Sequence, residues 1–427
     1  MKILFIQPEI GHKKKKKIKM SWAMEPLVAA QLKALTPDNI DFIFVDDRVE
    51  NIDYNIEVDI VAITIEAYTA KRVYHISEKF RKRGIKVIIG GVHATLFPDE
   101  VLEHCDSIMI GEAEYIWRFF INDLLTNNLQ QIYKATTRPV LDGLLPDRSV
   151  YGKKKYFPMK LVETSRGCAF ACDFCSVGAM YKRSCTQRPI EDVVNEIKQT
   201  KSKWFFFLDD NIGADIERAK ALFKALKPLK IKWTSQISTH ALIDEELVTL
   251  MRESGCIGAL VGFESLSIQN LKSVSKQWNE GENKYQKVMD ICRKNNLIIS
   301  GTFLFGYDND TKETFDAVLN FANKNHLYLV GFNQIMPFPG TPLYTKMQSD
   351  NVLVYDRWWI DSNNDFGEVV FYPKCMDREI LAKYCIEYKK KFYSFGAILK
   401  RALTLKGSLF CKCAMLTNGI IAKICDF

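Results

Sequence analysis

The sequence predicts an α/β protein of two parallel-stranded domains in tandem, followed by a mostly helical extension. Three observations predict it. Short, nearly continuous apolar runs recur along the first 345 residues, as strands buried on both faces require. Helix-period segments separate those runs, the alternation that builds parallel sheets. The chain of 427 residues, 47% hydrophobic, is long enough for two cores and an appendage.

Strands are expected at residues 3–6, 42–45, 60–65, 87–89 and 107–110, with helices over 24–35 and 69–83, the second ended by Gly84. Five such units make residues 1–135 a doubly wound parallel sheet, which binds ligands at the carboxyl ends of its strands. The loops there are Gln7-Pro8-Glu9, Glu66-Ala67-Tyr68, Gly90-Gly91-Val92-His93 and Gly111-Glu112-Ala113-Glu114. Residues 136–156 are polar, carry Pro139, Pro146 and Gly152, and read as a linker.

Residues 157–345 repeat the alternation, with strands at 160–164, 204–208, 232–238, 257–263, 298–305 and 328–334 and helices such as 189–200 and 216–226. The alternation alone permits a six-unit partial barrel, a full eight-unit barrel or another open sheet. Residues 346–427 form the extension, with Trp358-Trp359, then Val369-Val370-Phe371-Tyr372-Pro373, then a helical tail from residue 378. No repeat of solenoid period and no low-complexity segment other than the lysine run at 13–17 occurs.

The formal charge of +8 is mild and announces no nucleic-acid binder. Twelve scattered cysteines do not make a secreted disulfide framework. The first residues run straight into a strand pattern without a signal-peptide layout, and a cytoplasmic place is expected. No run of 18 apolar residues exists, so no spanning helix is expected.

The run Glu163-Thr164-Ser165-Arg166-Gly167-Cys168-Ala169-Phe170-Ala171-Cys172-Asp173-Phe174-Cys175 is a C-x3-C-x2-C loop. Three thiolates this close can hold one metal centre. Zinc in a structural site takes four ligands, and ferredoxin-type clusters take four cysteines. A [4Fe–4S] cluster on Cys168, Cys172 and Cys175 has one iron left open for a ligand. The competing readings are a zinc site completed by a distant His or Cys, and plain buried thiols. Arg166-Gly167 supplies a tight, cationic turn, the kind expected beside an anionic cluster.

The loop resembles the signature of the radical S-adenosylmethionine (SAM) enzymes. The whole chain is similar to their cobalamin-binding-domain subclass, the type of the hopanoid methylases and the oxidative cyclase of bacteriochlorophyll synthesis. Met24-Glu25-Pro26-Leu27, Gly90-Gly91-Val92-His93-Ala94-Thr95, Gly111-Glu112-Ala113-Glu114, Pro337-Phe338-Pro339-Gly340-Thr341-Pro342 and Trp358-Trp359 carry that wider resemblance. It implies a Rossmann-like cobalamin-binding domain at 1–135 and a partial (β/α)6 barrel at 157–345. It implies a [4Fe–4S] cluster that reductively cleaves SAM to a 5′-deoxyadenosyl radical, and cobalamin-dependent C-methylation of an unactivated carbon.

The same resemblance places residues. Phe174 would lie against the adenine of SAM, and Asp209 and Asp210 would receive its amino group, where an ammonium meets charge-assisted acceptors. Gln236 would reach its carboxylate or ribose, Glu264 its ribose hydroxyls, and Gly306 would let it approach the backbone. Thr64, Gly90, Gly91 and His93 would line the cobalamin pocket.

Bland readings stand beside these. Asp209 and Asp210 also suit a helix N-cap, Gln236 a satisfied interior amide, Gly306 a strand turn, and His93 a locally bonded loop histidine. The D-x-H-x-x-G loop that brings a histidine to cobalt in many cobalamin proteins is absent, and His12 does not fall in that pattern. A dinucleotide site is weak, because no G-x-G-x-x-G follows the first strand.

Expected partners are a small-molecule or lipid substrate and an electron donor such as flavodoxin or ferredoxin. Two other outcomes stay open: carbon–carbon coupling, cyclisation or aminocarboxypropyl transfer without methyl transfer, and a non-catalytic iron–sulfur or zinc module. The tail, residues 395–403 and 409–424, mixes apolar residues with Lys and Arg. It reads as a helix packed on the barrel or as a peripheral contact with a membrane. Cys411, Cys413 and Cys425 lack the spacing of familiar clusters.

Overall fold

A computed structural model of the chain describes residues 1–10, 12–13, 16–17, 23–279, 282–405, 409, 412–413 and 415–417. The side chain of His12, together with Cys411 and Cys425, lies outside the described residues.

The first sheet has strands β1 (Lys2–Gln7), β2 (Asp41–Asp46), β3 (Ile60–Thr64), β4 (Lys86–Gly90), β5 (Ser107–Ile110) and β6 (Ile132–Lys134). Their order is β2-β1-β3-β4-β5-β6, all parallel. Helices cover both faces. Val73, Ile76 and Phe80 of the helix Ala70–Arg81 pack on one side, and Ile116, Trp117 and Phe120 of the helix Ala113–Leu125 on the other. The order reverses between β1 and β3, the switch point at which such sheets bind ligands. β6 was not among the expected strands. It is an edge strand in which Tyr133 alone is buried, so it leaves no apolar run.

The second sheet has strands β7 (Lys160–Val162), β8 (Trp204–Phe207), β9 (Lys232–Gln236), β10 (Cys256–Glu264), β11 (Ile298–Phe305) and β12 (Val330–Gln334). They are parallel and pair strictly in chain order, with β7 and β12 left as open edges. The six-unit open arrangement is therefore the one adopted. Burial alternates along the strands: Ser235, Val261 and Phe303 face the helices, while Thr234, Gln236, Gly262, Thr302 and Leu304 are half-buried on the concave side. That inner face is partly polar.

The extension divides between the two domains. Tyr344, Trp358, Trp359 and Val370 join the core of the first sheet, whereas Leu381, Cys385, Tyr388 and Phe392 of the helix Arg378–Phe392 join the core of the second. The segment at 136–156 is also packed: Tyr151 is buried against the first sheet, and Arg148 reaches Glu25 and Glu196, one on each domain. Among the described residues no helix is long and apolar enough to cross a membrane.

Candidate functional site

The cysteine loop leaves the carboxyl end of β7 and is closed at its base by a small antiparallel ribbon, Ser165–Gly167 against Cys185–Gln187. Asp209, at the carboxyl end of β8, builds that base. It is fully buried, and its carboxylate accepts from Thr164 N at 2.8 Å, Thr164 Oγ1 at 2.5 Å and Ser165 Oγ at 2.7 Å. With both oxygens engaged, Asp209 shapes the loop from beneath. Asp210 Oδ2 accepts from Gly167 N at 2.8 Å, and Asn211 Oδ1 from Ser238 N at 3.1 Å. None of the three caps a helix; the N-cap of the helix Ile216–Leu226 is Asp215. Burial pushes the Asp210 carboxyl up to about 6, against the pull of the Gly167 N–H.

Cys168, Cys172 and Cys175 are free, half-buried thiols. Burial raises all three, Cys172 to about 12, with the charge of Lys276 pulling Cys172 and Cys175 back. Thiols that hold their protons so tightly give them up when a metal centre neutralises the thiolates. Among the described residues no three His, Cys, Asp or Glu side chains converge on a single ion. A cubane does not require such convergence, because each thiolate takes its own iron.

Lys276 is the cation of this site. Its Nζ donates to Glu264 Oε1 at 2.7 Å and to Gly262 O at 3.1 Å, and it lies 5.8 Å from the Phe174 ring centroid and 5.4 Å from that of Trp278. Glu264 ends β10 at φ 65°, a left-handed conformation that costs a non-glycine residue about 1 kcal/mol or more. The pairing of β10 with β11 shifts register between Gly262 and Glu264, and this irregularity re-aims the carboxylate. A Cβ on Gly262 would run into it.

The loop is tied down around Lys276. Ser275 Oγ donates to Asp173 Oδ2 at 2.8 Å, Asp173 N donates to Val274 O at 3.1 Å, and Phe170 stacks on Trp278 with centroids 3.9 Å apart. Gln236 is half-buried on the inner face of β9. Phe174 packs at the edge of the barrel core.

Arg166 departs from expectation. Its guanidinium is consumed by carboxylates, Glu112 at 3.0 Å, Glu114 at 2.8 Å and Glu163 at 2.7 Å, rather than facing the thiols. Glu112 and Glu114 follow β5, so this cluster locks the cysteine loop to the carboxyl edge of the first sheet. Arg138 reinforces the lock, donating to Glu112 at 2.8 and 3.1 Å and to Arg166 O at 3.1 Å.

On that edge Gly91 has φ 119°, and a Cβ there would meet Ile65 O at 2.7 Å and Thr64 Oγ1 at 3.0 Å. The Gly90-Gly91 turn is a cradle of bare backbone beside Thr64. His93 is elsewhere. Its ring is buried with Trp359 and Phe97, 3.3 Å from Glu100 Oε1, which also accepts from Tyr74 at 2.7 Å and Trp359 at 2.9 Å. Burial alone would raise Glu100, but the donors His93, Trp359 and Tyr74 outweigh it and hold the carboxyl below its usual range. His93 thus serves a buried network that anchors the extension. Gly306 has φ 107°, yet a Cβ on it would meet Phe371 at 2.6 Å and Leu381 at 3.0 Å, and its N–H donates to Asp310. Close packing of the extension accounts for that glycine.

Residues 162–322 match the family model described as the radical SAM superfamily. The chain is 31% identical over 389 residues to the bacteriochlorophyllide d C-12(1)-methyltransferase of Chlorobaculum tepidum, covering 88% of this chain and 84% of that protein. The chain belongs to the cobalamin-binding-domain class of radical SAM enzymes. It is also 27% identical to the anaerobic magnesium-protoporphyrin IX monomethyl ester cyclase of Rubrivivax gelatinosus, over all of this chain and 84% of that one. The fold matches the radical SAM methyltransferase TsrM from Kitasatospora setae, solved with cobalamin and a [4Fe–4S] cluster. The TM-score is 0.73 at 14% identity, covering 100% of this chain and 99% of TsrM.

This radical SAM enzyme has a [4Fe–4S] cluster and SAM as its cofactors, and cobalamin is the further cofactor of its class. The residues fit them: three free thiols on a braced loop, carboxylates and an amide along the inner face, and a glycine cradle across the Arg166 junction. Lys276 and Trp278 escaped the sequence reading. Lys276 lies twelve residues beyond Glu264 with a helix between them, and no local spacing marks the pair.

Proposed function

We propose that this enzyme transfers a methyl group to an unactivated carbon of a small molecule or lipid in a cobalamin-dependent radical reaction. The Arg166 junction carries this reading, because it holds the cysteine loop against the carboxyl edge of a sheet with a glycine cradle. The cluster and cobalamin, when bound, supply the electron that cleaves SAM to a 5′-deoxyadenosyl radical and the methyl group that the substrate receives.

The chain's own residues bind, orient and exclude water. Cys168, Cys172 and Cys175 hold three irons. Phe174, Asp210, Gln236 and Glu264 hold SAM, and Asp209 keeps the loop in shape beneath them. Thr64, Gly90 and Gly91 form the wall against which cobalamin lies. The Phe170–Trp278 stack braces the loop against the barrel side. A flavodoxin or ferredoxin supplies the electron. We also infer a peripheral contact with a membrane through the C-terminal tail, on the apolar and basic residues that it exposes.

Similarity to the cyclase favours a second reading, ring closure without methyl transfer. One experiment separates the two. Anaerobically reconstituted enzyme, with iron, sulfide and corrinoid quantified, is incubated with methyl-labelled SAM and a cell extract as substrate source. Methyl transfer gives 5′-deoxyadenosine and S-adenosylhomocysteine together with a labelled product. Deoxyadenosine without S-adenosylhomocysteine overturns methyl transfer and favours cyclisation. Cys172→Ala is expected to lose cluster iron and SAM cleavage together.

A further inference from the structure

The helix Phe395–Thr404 has two apolar faces. Ile398 and Ala402 are buried against the barrel. Arg401 is buried with them, donating to Asn323 Oδ1 and Phe392 O at 2.8 Å each with its guanidinium 3.7 Å from the Phe392 ring centroid. His326 Nε2 and Thr404 Oγ1, 2.9 Å apart, fasten the far end. This inner face fully explains why the helix sits where it does. It does not explain the adjoining stripe, in which Phe395, Leu399 and Leu403 recur every fourth residue and are 80%, 38% and 71% exposed. Farther along the tail, Leu409 and Leu416 are 77% and 49% exposed. A row of large apolar side chains turned to water marks a surface that something else covers.

The charge of the same stretch identifies what covers it. Residues 388–425 contain eight Lys and Arg and no Asp or Glu. Those eight account for the whole formal charge of +8, because the other 51 Lys and Arg balance 51 Asp and Glu. Lys400, next to Leu399 on the same helix, and Lys390, near the end of the preceding helix Arg378–Phe392, are exposed. An apolar row bordered by lysines on a molecule otherwise neutral is the pattern of a helix that lies in the plane of an anionic lipid surface. No described helix could cross the bilayer, so the contact is in-plane.

We propose that the helix Phe395–Thr404 docks this enzyme on an anionic bilayer, with Phe395, Leu399 and Leu403 among the acyl chains and Lys390 and Lys400 at the headgroups. The assignment rests on the membrane contact inferred above and names its lipid chemistry and its residues. Docking would place the open barrel next to a reservoir of apolar substrates.

Flotation of the full-length reconstituted enzyme tests it, with vesicles of phosphatidylcholine alone or mixed with phosphatidylglycerol. The enzyme is expected to float with the mixed vesicles, to stay behind with the neutral ones, and to be released by salt. Phe395→Ser/Leu399→Ser/Leu403→Ser and Lys390→Glu/Lys400→Glu are each expected to lower binding about tenfold or more. Their unfolding temperature and cluster content should match the wild type, since all five side chains point away from the core. Equal flotation of the wild type and both variants with either vesicle overturns the lipid and residue assignment while leaving a membrane contact. No flotation at all overturns both. A wild-type dimer that the triple serine variant converts to monomer overturns the assignment in favour of a second copy of the chain. Flotation by a preparation that cleaves no SAM supports docking and tells only against the proposed reaction.

Discussion

Lys276 Nζ lies 2.7 Å from Glu264 Oε1, and this buried pair is the charged element opposite the cysteine loop. A lysine held there offsets the negative charge that thiolates bring to the loop, and Glu264 keeps it in place. Both side chains are nearly inaccessible, so neither charge is tolerated alone.

Lys276→Met strands the Glu264 carboxylate and removes the cation from the thiols. Stability is expected to fall by about 3 kcal/mol, with iron content after reconstitution falling in parallel. Lys276→Arg should keep most of both. Urea unfolding and iron quantification on the same preparations check this, and a methionine variant as stable and iron-loaded as the wild type contradicts the role.

Asp210 gives the apo enzyme a recognisable pH dependence. Its carboxyl titrates near 3.8 when unfolded and is pushed up to about 6 in the fold by burial. The folded state therefore holds this proton more tightly, and the stability it contributes is lost as pH rises from about 4 to about 6. The loss is about 2 to 3 kcal/mol. Asp310 is raised over the same range, so the difference between wild type and Asp210→Asn is the informative quantity. That difference should grow with pH across this window and then level off, with the asparagine variant the more stable at neutral pH. SAM affinity, measured by calorimetry on the cluster-loaded variant, should fall.

Arg166→Met removes the partner of three carboxylates at the junction of the two domains. A loss of about 3 to 5 kcal/mol is expected, the cost of breaking a buried charge cluster from one side. Denaturant unfolding reads it, and a shift smaller than that of an ordinary surface substitution would remove Arg166 from the junction.

Gly91→Ala places a Cβ 2.7 Å from Ile65 O at φ 119°. It should cost about 1 to 3 kcal/mol and reduce the corrinoid retained after reconstitution. Gly84→Ala is the control, because Gly84 also has positive φ but nothing within 4 Å. Absorbance of bound corrinoid should be unchanged in the control and lowered at Gly91. Equal retention in both would take the cradle out of the cobalamin wall.

Both sheets were legible because their strands are near-continuous apolar runs, and periodicity is a local property. β6 was not, since an edge strand with one buried side chain carries no such run. The packing of the extension was not legible either: Trp359 reaches Glu100, 259 residues away, and nothing short-range announces that contact. Gly306 and His93 show the same limit. Positive φ at Gly306 and a loop position for His93 were readable, but Phe371, Leu381 and the Glu100 network claim those residues for packing.

The sequence by itself determined the alternation of strand and helix and the grouping of three thiols in one loop, since both depend on residues a few positions apart. Only the tertiary structure decided which charges meet the loop. Arg166 stands two residues before Cys168, yet its guanidinium is shared between the nearby Glu163 and the distant Glu112 and Glu114, while Lys276 comes from far along the chain to face Cys172. A buried charge goes to whichever partners the folded backbone brings within hydrogen-bonding distance, near in sequence like Glu163 or far like Glu112.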